Sequence, residues 1–197
     1  MNRSFLSATV YLSAVIAALI LVLAIFSSWT FPLLSLDQTQ VAKGELWRIL
    51  TGNIVHFGWA HTLMNVAAFL LCVFGLLPHF SILRFSLLLF GCCIAVGAGM
   101  YWLNNEYTIY AGLSGAIHGL VIVGLARTQL HPVWVRILGL VLVAGKLIQE
   151  QSASYETTDL QALIPVPVAV DAHLYGALAG VFFLAGDYLI HYLKRKH

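Results

Sequence analysis

Charge is what this chain has least of. Only 9% of its 197 residues are Asp, Glu, Lys or Arg, while 60% are hydrophobic and the formal net charge is +2. That scarcity excludes a soluble globule, whose surface it could not solvate, and a charge so near zero excludes the basic footprint of a nucleic-acid partner. With a mean hydropathy of +0.89, the composition is that of an integral membrane protein embedded in a lipid bilayer. Cysteine is scarce too. Cys72 and the adjacent Cys92 and Cys93 sit inside apolar runs without C-x-x-C or His-Cys spacing, which leaves them as small packing residues and not a disulfide or thiolate metal site. Neither H-E-x-x-H nor C-x-x-C-H occurs, so the familiar zinc and haem motifs are missing and no metal or cofactor is expected.

Long apolar runs are what the chain does have. Six are read as membrane spans, at about 5–26, 62–77, 82–103, 109–126, 133–148 and 172–193, giving an all-α polytopic membrane protein with residues 1–197 as one domain. Several fall short of the ~20 residues that comfortably cross a bilayer, so tilt or local thinning is expected. The first run follows Arg3, exceeds a signal-peptide core and lacks a following A-x-A-like site, so it is taken as an uncleaved span. Residues 27–60 carry Trp29, Phe31, Trp47, Phe57 and Trp59. Rings at that density favour the headgroup interface, and this long first loop is expected to be ordered and partly embedded. Residues 149–170 are polar, contain Pro165 and Pro167, and read as a loop.

Lys and Arg set the orientation. With six spans, both termini share a side with the connections at 78–84 and 127–136, and that side holds Arg3, Arg84, Arg127, Arg136, Lys194, Arg195 and Lys196. It is assigned to the cytoplasm. The outer side holds Lys43 and Arg48, with Lys146 near the outer end of the fifth span, and Asp37, Glu45, Glu106, Glu150, Glu156, Asp159 and Asp171.

Spans two, four and six then begin at the outer face, and each carries polar residues near that beginning: His61 and Asn65, Ser114 and His118, and His173. Such groups are costly inside a membrane and mark function. His173, Gly176, Ala177 and Gly180 share one helical face, while Gly112, Gly115 and Gly119 surround Ser114, so the two helices can approach closely enough to bring the imidazole to the hydroxyl. The chemistry this allows is acyl transfer. Ser114 is the nucleophile, His173 the base, and Asn65, His61 and the Ser114 backbone N–H are donors for an oxyanion. Asp171, two residues before His173, points elsewhere at helical spacing, so a Ser-His dyad is expected. His118 is given a supporting role beside His173. His56 and Arg48 are expected to brace the first loop. Lys146 and Glu150, at i and i+4, read as a hydrated ion pair of small worth.

These residues resemble the rhomboid intramembrane serine proteases. The likeness runs through Glu45-Leu46-Trp47-Arg48, then His56, His61 and Asn65, then Gly112-Leu113-Ser114-Gly115, then Ala172-His173 with Gly176 and Gly180. It implies a six-helix rhomboid core, an outward-opening watery cavity capped by the loop before span six, lateral substrate entry near span five, and the roles given above to Ser114, His173, His61 and Asn65. Where many rhomboids carry Tyr four residues after the serine, this chain has His118, and the 78–84 loop lacks the acid frequent in bacterial members. The runs 112–119 and 171–176 look more like the rhombosortase branch. That resemblance implies a bacterial inner-membrane enzyme whose substrates are single-pass membrane proteins with a C-terminal signal: Gly-Gly, a helix and a basic tail.

Two other classes are weighed. A membrane redox protein would use His61, His118 and His173 as ligands, but would have no need of Ser114 or Asn65. A non-catalytic rhomboid-like binder of membrane helices would have no need of both Ser114 and His173.

Overall fold

A computed structural model describes residues 8–104, 106–152, 155, 163–194 and 196. Its elements are α1 (Ala8–Ile25), α2 (Ser27–Leu34), β1 (Leu36–Asp37), α3 (Gln38–Ala42), α4 (Arg48–Thr51), α5 (Gly58–Leu76), α6 (Ile82–Trp102), β2 (Ile109–Tyr110), α7 (Ser114–Arg127), α8 (Val133–Glu150) and α9 (Val170–Lys194). Among the described residues four helices, α1, α5, α6 and α9, are long and apolar enough to cross a membrane. The two other expected spans correspond to α7, with 14 residues, and α8, whose 18 residues include Arg136, Lys146 and Glu150. Outward faces are apolar: Leu71, Leu83 and Phe182 stand exposed, as lipid permits and water would not. The chain is a multi-pass membrane protein.

The core forms where α5, α6 and α7 turn Phe69, Phe85, Leu88, Leu120 and Val123 toward one another. Against α7 lies α9, along the glycine stripe read from the sequence. A Cβ on Gly180 would stand 2.6 Å from the Gly119 carbonyl oxygen, one on Gly115 2.6 Å from that of Ala172, and one on Gly176 would overlap the Gly115 carbonyl. Only glycine permits this approach. By contrast α8 is held lightly, burying only Leu147 and Glu150 along its length.

Polar contacts mark the two ends. At one, Thr9 Oγ1 donates to the Phe80 carbonyl at 2.5 Å, His131 Nε2 lies 3.0 Å from the Gly75 carbonyl, Arg84 and Arg127 both reach Asp187, and Arg136 caps the last carbonyls of α7. At the other, the first loop is ordered, as its aromatic content led us to expect. The buried Arg48 guanidinium pairs with Glu45 and donates to the carbonyls of Pro32 and Ser35 at 2.9 and 2.8 Å, while Asn53 Nδ2 donates to Cys93 at 3.0 Å.

One boundary corrects the sequence reading. The fourth span was expected from 109, but residues 109–113 are not helical. Ile109 and Tyr110 pair antiparallel with Asp37 and Leu36, and the Gly112 N–H donates to Gly52 at 2.9 Å. Backbone committed to these partners cannot also join the helix ladder, so α7 begins at Ser114. Other ends fall within four residues of expectation: α5 starts at Gly58, and α8 continues to Glu150. Residues 5–7 of the first span, Arg3, Glu156, Asp159 and Arg195 lie outside the described residues, as does much of the expected 149–170 loop.

Candidate active site

Ser114 is the first residue of α7, presented by a turn that the first loop braces. Gly112 at φ +133° makes the turn, in a region that favours glycine, and a Cβ there would stand 2.7 Å from His61 Cε1. The Tyr110 hydroxyl donates to the Gly112 carbonyl at 2.8 Å, and the Leu113 N–H donates to His56 Nε2 at 3.3 Å. Burial pushes the His56 ring down to about 3, so it stays neutral and able to accept that bond. His56 therefore braces the first loop against the serine turn, in line with its expected role.

The Ser114 hydroxyl lies 3.0 Å from His173 Nε2. The glycine stripe brings the two helices to that separation. Asp171 is turned aside, accepting from Asn104 Nδ2 at 3.0 Å, as helical spacing requires.

On its far side, His173 Nδ1 lies 2.9 Å from Glu150 Oε2. The sequence reading had Glu150 in a hydrated surface pair. It does pair with Lys146, but it is 4% exposed, and its second oxygen faces the imidazole. His118 stacks on His173 with ring centroids 4.2 Å apart and 23° between planes. Its Nδ1 is 2.8 Å from the Ser114 carbonyl and must donate to it, which leaves Nε2 as a lone pair 3.4 Å from Lys146 Nζ, a donor. The two parallel rings thus each turn one nitrogen toward Ser114 and the other toward α8. The partners fix both tautomers: His173 carries its proton on Nδ1, toward the carboxylate, and offers a bare Nε2 to the hydroxyl. This arrangement can take a proton from Ser114 and stabilise the imidazolium that results.

Glu150 is the residue sequence reasoning passed over. An acid at the outer end of an apolar span, at the depth of Ser114 and His173, was its signal. Chain proximity instead draws the eye to Asp171, two residues before His173.

The donor atoms of His118, Glu150 and His173 lie within 4.8 Å of one another, the spacing of a metal site. Lys146 Nζ, beside the His118 and Glu150 side chains, already brings a positive charge to this cluster. The third histidine of the redox reading, His61, is not in this cluster.

His61 and Asn65 are buried one turn apart on α5, and Asn65 Nδ2 donates to the His61 carbonyl at 3.0 Å. His61 Nδ1 has no hydrogen-bond partner among the described residues. His61 is held edge-on by His56, at 5.0 Å between centroids, and parallel to Phe57 at 6.3 Å. With Phe57, Tyr107, Val166 and Val168, His61 and Ser114 line a cavity of about 430 Å³. Of the residues named from the sequence, Ser114, His118 and His173 meet directly, Gly112, Gly115, Gly176 and Gly180 set their approach, and His61 shares the cavity wall with Ser114 while Asn65 bonds the His61 carbonyl.

Apolar helices thus surround a serine that contacts an imidazole and lines a cavity, in a multi-pass membrane protein. Residues 43–189 match the rhomboid domain, and the chain belongs to the rhomboid family. It is 30% identical over 150 residues to "Putative rhomboid protease YdcA" of Bacillus subtilis (strain 168), covering 74% of this chain and 68% of that protein. It is also 34% identical over 89 residues to "Rhomboid-like protease 5" of Toxoplasma gondii, a match covering 44% of this chain and 10% of that far longer one.

Proposed function

We propose that this protein is an intramembrane serine endopeptidase, a single rhomboid domain of six spans over residues 1–197. The observation that carries the reading is the 3.0 Å contact between Ser114 Oγ and His173 Nε2 on a cavity wall. His173 accepts the proton as Ser114 Oγ attacks the scissile carbonyl, and then delivers it to the leaving amine. Water, activated by the same imidazole, releases the acyl group. The Ser114 N–H, His61 and Asn65 are the oxyanion donors; the place of His61 beside Ser114 in the cavity lining supports that role, and Asn65 has a second amide hydrogen to give. To the expected dyad we add Glu150, which holds the His173 tautomer and offsets its developing charge. His118 stacks behind the base.

Substrates are single-pass membrane proteins, cut near the outer boundary of the bacterial inner membrane, with both termini of the enzyme cytoplasmic and the cavity opening to the periplasm. The clustering of Arg84, Arg127 and Arg136 at the end away from Ser114 supports this orientation. A Gly-Gly signal followed by a helix and basic tail fits an extended, easily unwound cleavage segment, and resemblance to the rhombosortase branch supports it.

A fluorophosphonate serine probe tests the core of the reading. Labelling of wild type that disappears in Ser114→Ala and His173→Ala is expected. Well-folded wild type that stays unlabelled in both detergent and lipid would instead indicate a non-catalytic binder.

A further inference from the structure

The end of the bundle away from Ser114 carries a second cleft that the proteolytic reading does not use. It measures about 580 Å³ and lies between the 79–81 turn, the start of α6 and the end of α7, with His79, Ser81, Arg84, Arg127 and Thr128 in its wall. Arg84 and Arg127 come from different helices and both donate to one oxygen, Oδ2 of Asp187 on α9. Two guanidinium groups thus share one carboxylate, and the cluster keeps an excess positive charge. The other described acids, Asp37, Glu45, Glu106, Glu150 and Asp171, all belong to the opposite end. Arg84 stacks over Phe80 at 5.0 Å, and its buried Nε has no partner among the described residues. Both arginines are a little over one-third exposed, at 35% and 39%, so they reach the surface with donors to spare. Ser81 caps the start of α6 beside them, and the positive end of that helix dipole adds to the field.

We propose that this cleft binds the phosphodiester headgroup of an anionic phospholipid. The chemistry recognised is a phosphate held by a fork of two arginines at a helix N-terminus, and its place at the end of apolar spans makes a lipid the source. Such a headgroup bridges α6 and α7, anchoring α7 at the end opposite its serine. The inference is independent of proteolysis.

The test is lipid retention by purified wild type from nanodiscs containing phosphatidylglycerol and phosphatidylcholine in equal amounts, read by native mass spectrometry. Phosphatidylglycerol is expected to be enriched by about fivefold per engaged arginine. Arg127→Gln should reduce the enrichment by about that factor. Asp187→Asn, which removes the competing carboxylate, should raise it, so the proposal makes a prediction of opposite sign even if an arginine variant folds poorly. Lys194→Gln with Lys196→Gln, which lowers charge at the same end outside the cleft wall, should change it less than Arg127→Gln. No enrichment in wild type, no rise in Asp187→Asn, or an equal loss in the lysine variant would overturn the proposal. Displacement of phosphatidylglycerol by an equal concentration of inorganic phosphate would assign the cleft to free phosphate and overturn its assignment to lipid.

Discussion

Replacing Glu150 with Gln keeps the side chain's length and leaves a carbonyl oxygen able to accept from His173 Nδ1, so geometry and tautomer survive while the charge is lost. When His173 takes the Ser114 proton, it becomes a cation beside a carboxylate 2.9 Å away. Two unit charges about 4 Å apart interact by about 4 kcal/mol at the effective dielectric of about 20 that suits such sites. Lys146 stays in the variant, and its repulsion of the imidazolium is then uncompensated, although 46% exposure of its side chain lets water screen it. At about 1.36 kcal/mol per decade, about 3–4 kcal/mol corresponds to a fall of roughly 10²–10³-fold in kcat. Two rates read it out in parallel: fluorophosphonate labelling, and cleavage of a single-pass reporter in proteoliposomes. A thermal melt of each preparation checks folding. Well-folded Glu150→Gln that works within threefold of wild type on both would refute the reasoning and return the site to a dyad.

The remaining predictions concern the oxyanion donors, the helix contact and the first loop. His61→Ala and Asn65→Ala should each lower turnover by roughly 10- to 1000-fold with little change in melting temperature; full activity in both would remove them from the oxyanion site. Gly176→Ala sets a Cβ against the Gly115 carbonyl and should cost about 1–3 kcal/mol of stability along with most serine labelling. Gly91→Ala, which meets no atom within 4 Å, should do neither, and equal melts for the two would discredit the close-packing argument. His56 is pushed from 6.5 down to about 3 by burial, so between these values the unfolded chain binds the extra proton. The contribution to stability is complete above about pH 6.5 and is lost as pH falls toward 3. Melts from pH 8 to 4.5 should therefore show a steeper acid loss for wild type than for His56→Gln, and parallel curves would contradict the assignment.

How much of this was legible in the sequence follows from which interactions are local. The apolar runs and the arginine-rich end were readable because hydropathy and charge are properties of single segments. The meeting of Ser114 and His173 was readable because the glycines on both helices announce a close contact and fix which faces make it. Residues 109–113 misled because Ile109, Tyr110 and Ala111 are as apolar as the helix they precede. The strand that claims Ile109 and Tyr110, Leu36–Asp37, lies more than seventy residues earlier in the chain. Glu150 escaped for a similar reason. Its nearest sequence partner, Lys146, supplied a complete local explanation, and only the docking of α8 beside α9 gives the carboxylate a second one.

That docking has a consequence for access. Helix α8 is the least anchored wall of the bundle, with Leu147 and Glu150 as its only buried residues, yet one of those two completes the hydrogen-bond chain to Ser114. Swinging α8 outward to admit a polypeptide from the bilayer would carry the carboxylate away from His173. On the proposed reading, an enzyme opened in that way would lack the carboxylate that holds His173 Nδ1, and would regain it only once α8 had closed.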